Sequence, residues 1–325
     1  MASRARKPLA GHLRDLTSVH GDDMKVVELS GGVGGARLAR GLDAVARLDL
    51  SVVVNVGDDL PTHGLYVTPD LDTMVYTLAG IEGPQGWGRA DDSFVANTEL
   101  ARFGVDNRFQ LGDLDLALKI YRTDRLAAGD TLTQVTDTVR SGFALEATIL
   151  PASNNPIRTM VTTTDGARLT FQEYFVERGH RDHVQRLEFE GASGATPAPG
   201  VIEAIDEAGI VVIGPSNPPL SIWPILAVAA IEDAVRRHPN VVAISPLIGG
   251  KTLKGPADSV MADLGLGAGT RAVVNAYRGL IDTLVVDNTD RADAGEIEGV
   301  TVVAMETRIP GREEARRLAE AILEL

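Results

Sequence analysis

The sequence predicts an α/β protein: a Rossmann-like three-layer sandwich with a mainly parallel sheet and a helical insertion. Lys25–Ser30 and Leu50–Val56 are apolar runs typical of buried strands, and Leu38–Val45 between them has helical spacing. A strand, a helix and a strand within about 30 residues favour parallel strands joined by a right-handed crossover. The same alternation resumes after residue 200, and residues 90–145 show helical spacing with little strand signal.

The remaining elements follow from the same patterns. Apolar residues recur at helical spacing in Asp72–Ala79 and through the helical insertion, at about residues 90–145. Further strands are predicted at Ala147–Leu150, Thr159–Thr164, Arg168–Val176, Ile210–Ile213, Val241–Ser245, Thr283–Asp287 and Val300–Ala304. Further helices are predicted at Val201–Glu207, Trp223–Arg236, Pro256–Leu264, Thr270–Arg278 and Arg312–Leu325. The stretch Gly191–Gly200, rich in Gly, Ala and Pro, is predicted to be a linker.

Composition narrows the class of protein. A chain of 325 residues fits one large or two modest domains, and the absence of cysteine excludes disulfides, zinc–thiolate sites and a catalytic thiol. The net charge of -14 repels nucleic acid phosphates, so we expect no nucleic acid partner. No stretch has the apolar length of a membrane span, and we expect no membrane partner and a cytoplasmic location.

The first 23 residues differ in character from the rest of the chain. They are basic at Arg4, Arg6, Lys7 and Arg14 and lack the apolar run of a secretory signal. We expect residues 1–23 to form a flexible tail and residues 24–325 to form the folded domain.

Four polar or glycine-rich segments follow predicted strands. They are Ser30–Gly35, Asn55–Asp59, Gly214–Asn217 and Ser245–Gly250. In a doubly wound sheet, ligands bind outside the carboxyl ends of the strands. The four segments are therefore expected to converge on one edge of the sheet and to build a site there.

The glycine-rich segment brings Gly31, Gly32 and Gly34 to the start of a helix. Backbone amides at a helix N-terminus bind anions, and glycine lets a phosphate approach closely. The segment lacks the Gly-Lys-Ser/Thr of a Walker A loop, and Arg37 stands where a dinucleotide fingerprint needs its third glycine. Phosphate binding and a tight strand-to-helix turn both remain possible from these residues alone.

The segment that begins at Gly214 combines prolines with Ser216 and Asn217. The two prolines after Asn217 favour an extended chain followed by a helix start, with Ser221 as a possible cap. A plain turn explains the prolines. It explains the Ser-Asn pair less well, because both side chains can bond phosphate or a nucleobase.

Two acidic pairs offer oxygen ligands to a metal ion. Asp70 and Asp72, with Thr73, stand at the start of a predicted helix, where either Asp72 or Thr73 could instead be an N-cap. Mg²⁺ takes one or two carboxylates and shares its remaining positions with water and phosphate. Asp58 and Asp59 form the second pair, with two solvated turn residues as the alternative.

A few further residues are candidates on weaker grounds. Arg158, Lys251 and Lys254 lie in predicted loops, where each could steady a phosphate or be an ordinary surface charge. Trp223, at a predicted helix start, could stack on a flat ring or pack in the core. The pair His180 and His183 could bind metal, but its charged surroundings favour an ordinary loop.

Taken together, these segments resemble the CofD family, the 2-phospho-L-lactate transferases, called FbiA in the high-GC bacterial branch. The match runs in order from Met24 to near the C-terminus and leaves out the first 23 residues. The matching residues are Ser30-Gly31-Gly32 with Gly34, Asn55, Thr68-Pro69-Asp70-Leu71-Asp72-Thr73, Gly112-Asp113, Ile149-Leu150-Pro151, Phe171-Gln172, Gly214-Pro215-Ser216-Asn217-Pro218, Ser221-Ile222, Ser245-Pro246-Leu247-Ile248-Gly249-Gly250, Gly255-Pro256-Ala257 and Asp290-Arg291-Ala292-Asp293.

The resemblance implies an activity in the synthesis of coenzyme F-420. The donor would be guanosine diphosphate esterified with lactate or enolpyruvate, and the high-GC branch implies enolpyruvate. The acceptor would be the deazaflavin Fo, whose terminal hydroxyl attacks the distal phosphorus so that GMP leaves. The product would be F-420-0 or its dehydro form. A homodimer and dependence on Mg²⁺ are also implied.

The resemblance also implies roles for the candidate residues. Asp70 and Asp72 would be catalytic and would bind Mg²⁺, or Asp72 would orient or deprotonate the acceptor hydroxyl. The residues expected to bind the two substrates are Gly31, Gly32, Gly34, Asn55, Asp58, Thr73, Arg158, Gly214, Ser216, Asn217, Trp223 and Lys251. The main alternative is a non-catalytic YvcK-like regulator that binds a nucleotide sugar. A Rossmann-type NAD enzyme is disfavoured because the dinucleotide fingerprint is absent.

Overall fold

A computed structural model describes residues 23–106 and 109–325. The predicted tail, apart from Asp23, lies outside the described residues. The strands are β1 (Met24–Ser30), β2 (Leu48–Val54), β3 (Leu60–Thr62), β4 (Leu65–Val67), β5 (Thr148–Pro151), β6 (Arg158–Thr163), β7 (Arg168–Thr170), β8 (Val184–Glu190), β9 (Ile210–Ile213), β10 (Val241–Ile244), β11 (Leu247–Ile248), β12 (Lys251–Thr252), β13 (Thr283–Asp287), β14 (Gly295–Ile297) and β15 (Val300–Met305).

Eight of these strands form the central sheet, in the order β14-β15-β13-β10-β9-β1-β2-β5. Every pairing within it is parallel except that of β14 with β15. The chain runs outward from β1 through β2 to β5, then returns to β9 and runs outward the other way. β1 and β9 therefore flank the point where the strand order reverses, which is where doubly wound sheets bind ligands. The predicted α/β fold with a mainly parallel sheet is confirmed.

The helices are α1 (Gly32–Asp43), α2 (Pro69–Ala79), α3 (Val95–Arg102), α4 (Asp113–Ala127), α5 (Leu132–Gly142), α6 (Val201–Glu207), α7 (Trp223–Leu226), α8 (Ala229–Arg237), α9 (Ala257–Asp263), α10 (Gly269–Ala276) and α11 (Arg312–Leu323). α1 packs against α2 and α11, whereas α6 packs against α8. The central strands are almost wholly buried and aliphatic, as expected for parallel strands covered by helices.

A second, smaller sheet stands beside the first, with strand order β7-β6-β8. It has its own cluster of buried apolar side chains, which includes Val161, Tyr174 and Leu220. Leu220 belongs to a π-helical turn, Pro218–Ile222, that follows β9. The small sheet thus packs against the loop that leaves the centre of the main sheet.

Two of the predicted elements are wrong in detail. The predicted strand Arg168–Val176 ends at Thr170 and continues as a π-helical turn, because Glu173 accepts hydrogen bonds from the backbone nitrogen and hydroxyl of Thr170. The predicted helix Trp223–Arg236 is two helices, α7 and α8, because the backbone is extended at Val228.

Helices α3, α4 and α5 fall within the predicted insertion at about 90–145. The starts of α3 and α4 are capped by aspartates. Asp113, the first residue of α4, accepts from the first backbone amides of α3, and Asp92, which precedes α3, accepts from the amides of Leu114 and Asp115 in α4. Among the described residues no single helix is long and apolar enough to cross a membrane. One bent pair, Pro218–Leu226 with Ala229–Arg237, reaches that length and apolar character only when its two parts are taken together across a 95° bend.

Candidate active site

Three of the four polar segments meet at the carboxyl edge of the central sheet. A Cβ atom placed on Gly31 would lie 2.6 Å from Oδ2 of Asp70, 2.9 Å from Cβ of Ser221 and 3.2 Å from Cβ of Asn55. These residues follow β1, β2 and β9, and Asp70 opens α2. The fourth segment follows β10, which is parallel to β9 and next to it, and the backbone nitrogen of its Gly249 donates to the side chains of Thr289 and Asp290 beyond β13.

The glycine segment forms the first turn of α1. Gly31 is the N-cap, without a side-chain cap bond, and Gly32 has a φ of 67° and open space where a Cβ would stand. Such a φ favours glycine. The first amides of a helix have no partner within it. Here the amide of Gly31 donates to Ser216 Oγ and that of Gly32 to Asp70 Oδ1, at 3.2 and 2.8 Å. These two amides are therefore already engaged within the site.

Gly34 is required by packing within the site. A Cβ on Gly34 would overlap the backbone oxygen of Pro215. The glycine therefore lets the first turn of α1 lie directly against the loop that follows Gly214. This close approach brings two of the predicted phosphate-binding segments together, as expected from the strand order.

Ser216 and Asn217 use their side chains inside the protein. Ser216 is buried, and its hydroxyl donates to the backbone oxygen of Gly31 across 2.7 Å. The side chain of Asn217 accepts from the backbone nitrogen of Leu220 and is the N-cap of the π-helical turn. Asn217, rather than Ser221, is therefore the capping residue at this point.

Four aspartates are buried around the start of α2. Asp70 and Asp72 lie in its first turn, and Asp58 and Asp59 follow β2. The N-cap of α2 is Thr68, so the alternative that Asp72 or Thr73 is the cap is wrong. Asp70 instead spans two segments, because Oδ1 accepts from the amide of Gly32 and Oδ2 accepts from Asn55 Nδ2 at 2.9 Å.

Three of the four carboxyls lack a cation that would fully balance a negative charge on them. Burial raises the pKa of Asp58, and the carboxyl of Asp70 raises it further. Burial also raises the pKa of Asp59, although Arg122 opposes this, and it raises the pKa of Asp70 against the hydrogen bonds from Asn55 and Gly32. One oxygen each of Asp58 and Asp59 has no hydrogen-bond partner in the described residues.

Asp72 is in a different electrostatic state. Arg122 contacts both of its carboxylate oxygens, and Lys119 Nζ lies 2.7 Å from Oδ2. Burial raises the pKa of Asp72, but the two cations outweigh burial and hold the pKa below its usual value. Lys119 also pairs with Asp115, which accepts from the hydroxyl of Tyr76 at 2.6 Å.

These two cations come from the helical insertion and were not predicted as site residues. Both are almost fully buried, at 2% and 3% exposure for Lys119 and Arg122. Buried Lys and Arg are rare without a partner. The sequence does contain a signal, since Asp115, Lys119 and Arg122 are spaced four and three apart and so share one face of α4.

The remaining candidates lie at the margin or away from these aspartates. Burial raises the pKa of the Tyr66 hydroxyl, which donates to Asp59, and Arg158, exposed at the start of β6, lies close enough to oppose this rise. Trp223 is half-buried and donates to the backbone oxygen of Ala276 at 3.0 Å. Lys251 is 79% exposed and pairs with Asp258.

The predicted Mg²⁺ ligands, Asp70 and Asp72, lie in the buried acidic group at the start of α2. Within the described ranges, no three His, Asp or Glu side chains converge to hold a metal ion by themselves. Thr73 is buried within α2, and His183 pairs with Asp263 at the surface. Two or three acidic oxygens beside a helix N-terminus still match the demand of Mg²⁺, which completes its shell with water and phosphate.

These features define a class of protein. The strand order reverses between β1 and β9, a helix begins at that point, and a buried acidic group lies beside it. This is a Rossmann-like α/β protein whose candidate site lies at the carboxyl edge of its sheet, where such folds bind their ligands.

The chain belongs to the CofD family. The model of that family, described as 2-phospho-L-lactate transferase CofD, matches residues 26–321. A 2-phospho-L-lactate transferase of Methanopyrus kandleri is 39% identical over 308 residues, which cover 93% of this chain and 98% of that protein. A phosphoenolpyruvate transferase of Streptomyces griseus is 42% identical over 287 residues, which cover 86% and 90%. The chain is accordingly a transferase.

A solved structure supports the fold. Protein BH3568 of Bacillus halodurans, from the UPF0052 family, aligns with a TM-score of 0.64 over 93% of this chain and 100% of its own, at 19% identity. At this identity the likeness concerns the fold alone.

Proposed function

We propose that the protein transfers an enolpyruvyl-phosphate or 2-phospholactate group from a guanosine diphosphate donor to the terminal hydroxyl of the deazaflavin Fo. The products are dehydro-F-420-0 or F-420-0 and GMP, and the reaction belongs to coenzyme F-420 biosynthesis. Membership of the CofD family and the names of its relatives support this class of reaction.

One observation carries the proposal: a buried surplus of carboxylates lies beside the first turn of α1. Burial raises the pKa of Asp58, Asp59 and Asp70, and repulsion from neighbouring carboxyls raises the pKa of Asp58 and Asp59 further. A diphosphate alone would be repelled by these groups. A divalent cation held by the carboxylates would neutralise charge on the ionised carboxylates and on the diphosphate, which is the chemistry that phosphoryl transfer asks for.

Asp70 and Asp58 are the residues that fit Mg²⁺ best. Asp70 is held in place by Asn55 and by the amide of Gly32, and Asp58 has a free buried oxygen. When bound, the ion neutralises charge on the transferred phosphoryl group. Asp70 and Asp58 would hold the ion, and backbone amides at the start of α1 would bind the diphosphate.

The proposed reaction is a displacement at phosphorus. The acceptor hydroxyl oxygen forms a bond to the distal phosphorus, the phosphoanhydride bond breaks, and GMP leaves with the bonding electrons. The hydroxyl proton passes to solvent or to a nearby carboxylate. The amides of the first turn of α1 orient the donor, so most of the rate enhancement comes from positioning and charge neutralisation.

Asp72 is proposed to position the site. The sequence favours Asp72 as a metal ligand or as the base that accepts the hydroxyl proton. Its oxygens are already engaged by Lys119 and Arg122, and a carboxylate with a lowered pKa is a weak proton acceptor. Its contacts therefore support a role in fixing the first turn of α2, which carries Asp70.

The test uses purified protein with Fo, Mg²⁺ and either the enolpyruvyl or the lactyl donor, and follows products by mass spectrometry. GMP together with dehydro-F-420-0 or F-420-0, formed only with Mg²⁺, would support the proposal and identify the donor. Binding of Fo without turnover of either donor would contradict the reaction. No binding of Fo would favour a regulator that binds a nucleotide sugar.

We also propose that the working form is a cytoplasmic homodimer, as the family resemblance implies. Light scattering on the purified protein measures the oligomeric state. A monomer at working concentrations would contradict the dimer.

A further inference from the structure

Glu28 is a buried carboxyl in the middle of β1 that the proposed reaction does not use. Its side chain is fully buried, and neither carboxyl oxygen has a hydrogen-bond partner in the described residues. Burial raises its pKa well above the usual value, and the neighbouring Ser30 opposes this only in part. A carboxyl in such surroundings holds its proton at neutral pH, because an isolated buried carboxylate is strongly disfavoured.

The position of Glu28 connects it to two loops of the site. Ser30 is two residues further along β1 and so lies on the same face of the strand. The hydroxyl of Ser30 is buried and also lacks a partner. A Cβ placed on Gly214 would lie 2.5 Å from Oε1 of Glu28 and 3.2 Å from Cα of Gly35. The carboxyl therefore lies beneath the junction of the loops that follow β1 and β9.

Two serine hydroxyls complete this junction. A Cβ placed on Gly35 would overlap Ser30 Oγ and lie 2.7 Å from Ser216 Oγ. Ser216 in turn bonds both the amide nitrogen and the carbonyl oxygen of Gly31. A row of polar groups thus runs from Glu28 through the serines to the first turn of α1.

The buried neighbours of Glu28 along β1 are aliphatic. Val26, Val27 and Leu29 are almost fully buried and fill the core on both sides of the strand. An aliphatic residue at position 28 would pack there without the cost of burying a carboxyl. The carboxyl therefore contributes something other than packing.

We propose that Glu28 pairs as a neutral carboxylic acid with Ser30 Oγ, since both groups are buried and have no other hydrogen-bond partner in the described residues. Glu28 is then a positioning residue that holds the loop Ser30–Gly35 against the loop Gly214–Asn217 for a nucleoside diphosphate. The identity of the ligand rests on the proposed function. The hydrogen bond and the protonated state of Glu28 do not depend on it.

The test compares Glu28→Gln, which keeps a neutral hydrogen-bond donor, with Glu28→Leu, which keeps the approximate volume and removes the polar group. Binding of GDP with Mg²⁺ is measured by calorimetry, and the unfolding temperature is measured in parallel. We expect Glu28→Gln to bind like the wild type. Glu28→Leu should bind about five- to tenfold more weakly, the effect of one lost hydrogen bond. Its unfolding temperature should be equal or higher, because an apolar residue replaces a buried polar one.

Two outcomes of this comparison would overturn the proposal. The first is wild-type GDP affinity in Glu28→Leu. The second is a loss of affinity accompanied by a lower unfolding temperature, which would assign Glu28 a structural role.

Infrared difference spectra test the protonated state without any ligand. The carbonyl band of a protonated carboxyl should be present in the wild type, absent in Glu28→Gln and shifted in Ser30→Ala. Absence of that difference band would overturn the proposal. A wild type that does not bind GDP but shows the band would instead contradict the proposed function and leave Glu28 as the neutral partner of Ser30.

Discussion

The side-chain amide of Asn55 donates to Oδ2 of Asp70 across 2.9 Å, and this bond joins the end of β2 to the start of α2. The other oxygen of the same carboxylate accepts from the amide of Gly32 at the start of α1. One carboxylate thus ties together three segments that are separate in sequence. Its orientation is fixed by these two bonds, as the proposed role of Asp70 in a preorganised site requires.

Asp70→Asn should reduce kcat about a hundredfold or more, because the amide removes the charge that balances the cation and phosphoryl group. The fold should survive, since the asparagine oxygen can still accept from Gly32. Turnover is measured by release of GMP at saturating Mg²⁺. Asp91→Asn, at an exposed turn, is the matched control and should retain full activity. Near-native turnover in Asp70→Asn would refute its place at the reacting group.

Asp72→Ala should destabilise the fold by about 3–5 kcal/mol, because it leaves Lys119 and Arg122 buried without their carboxylate. Urea unfolding measures the free energy. Glu232→Ala, which breaks the exposed pair with Arg236, should cost less than about 1 kcal/mol. Equal effects of the two changes would mean that the buried group contributes no more than a surface pair.

The stability of the protein without divalent cations should fall as pH rises. Burial gives Asp58, Asp59 and Asp70 raised pKa values in the folded state, while the unfolded chain releases these protons near the ordinary aspartate pKa of about 3.9. Between that value and the raised values the folded state binds more protons, so rising pH favours unfolding.

Mg²⁺ should remove most of this loss of stability, because the ion replaces the protons on the acidic group. Urea unfolding at about pH 5 and about pH 8, with chelator or with Mg²⁺, gives the comparison. A decline with pH that Mg²⁺ leaves unchanged would argue against a cation site at these aspartates.

Gly34→Ala should weaken donor binding, because the new methyl group overlaps the backbone oxygen of Pro215 and pushes the two loops apart. The expected loss is at least about tenfold in GDP affinity, a difference of about 1.4 kcal/mol. Calorimetry with Mg²⁺ measures it. Gly142→Ala, at an exposed helix position with open space for a Cβ, is the control and should leave affinity unchanged. Wild-type affinity in Gly34→Ala would show that this contact is dispensable.

Much of the main sheet could be predicted from the sequence, because parallel strands buried on both faces are short aliphatic runs. The predicted Lys25–Ser30 differs from β1 by one residue, and Ile210–Ile213 is β9 itself. The strand prediction at Arg168–Val176 is wrong beyond Thr170. The apolar and aromatic residues there favour a strand, but Thr170 and Glu173 end it. Those two residues, three apart, are the signature of a local cap.

The site could be predicted less completely. The sequence places the glycines and Asn55 after strands and Asp70 at a helix start, and the structure brings these residues together. The different surroundings of Asp70 and Asp72 could not be predicted, since they depend on Lys119 and Arg122 in a distant helix. On a surface helix such residues are normally solvated, and only the fold shows that α4 turns this face inward.

Gly31 and Ser216 are hydrogen-bonded to each other although 185 positions separate them in the chain. During synthesis, the first loop therefore leaves the ribosome long before its partner exists. Donor binding cannot assist folding of the nascent amino-terminal part, because the pocket appears only after β9 has been inserted beside β1. Once the loops after β1 and β9 are joined, a bound nucleotide should stabilise the whole sheet against unfolding and not just one segment of it.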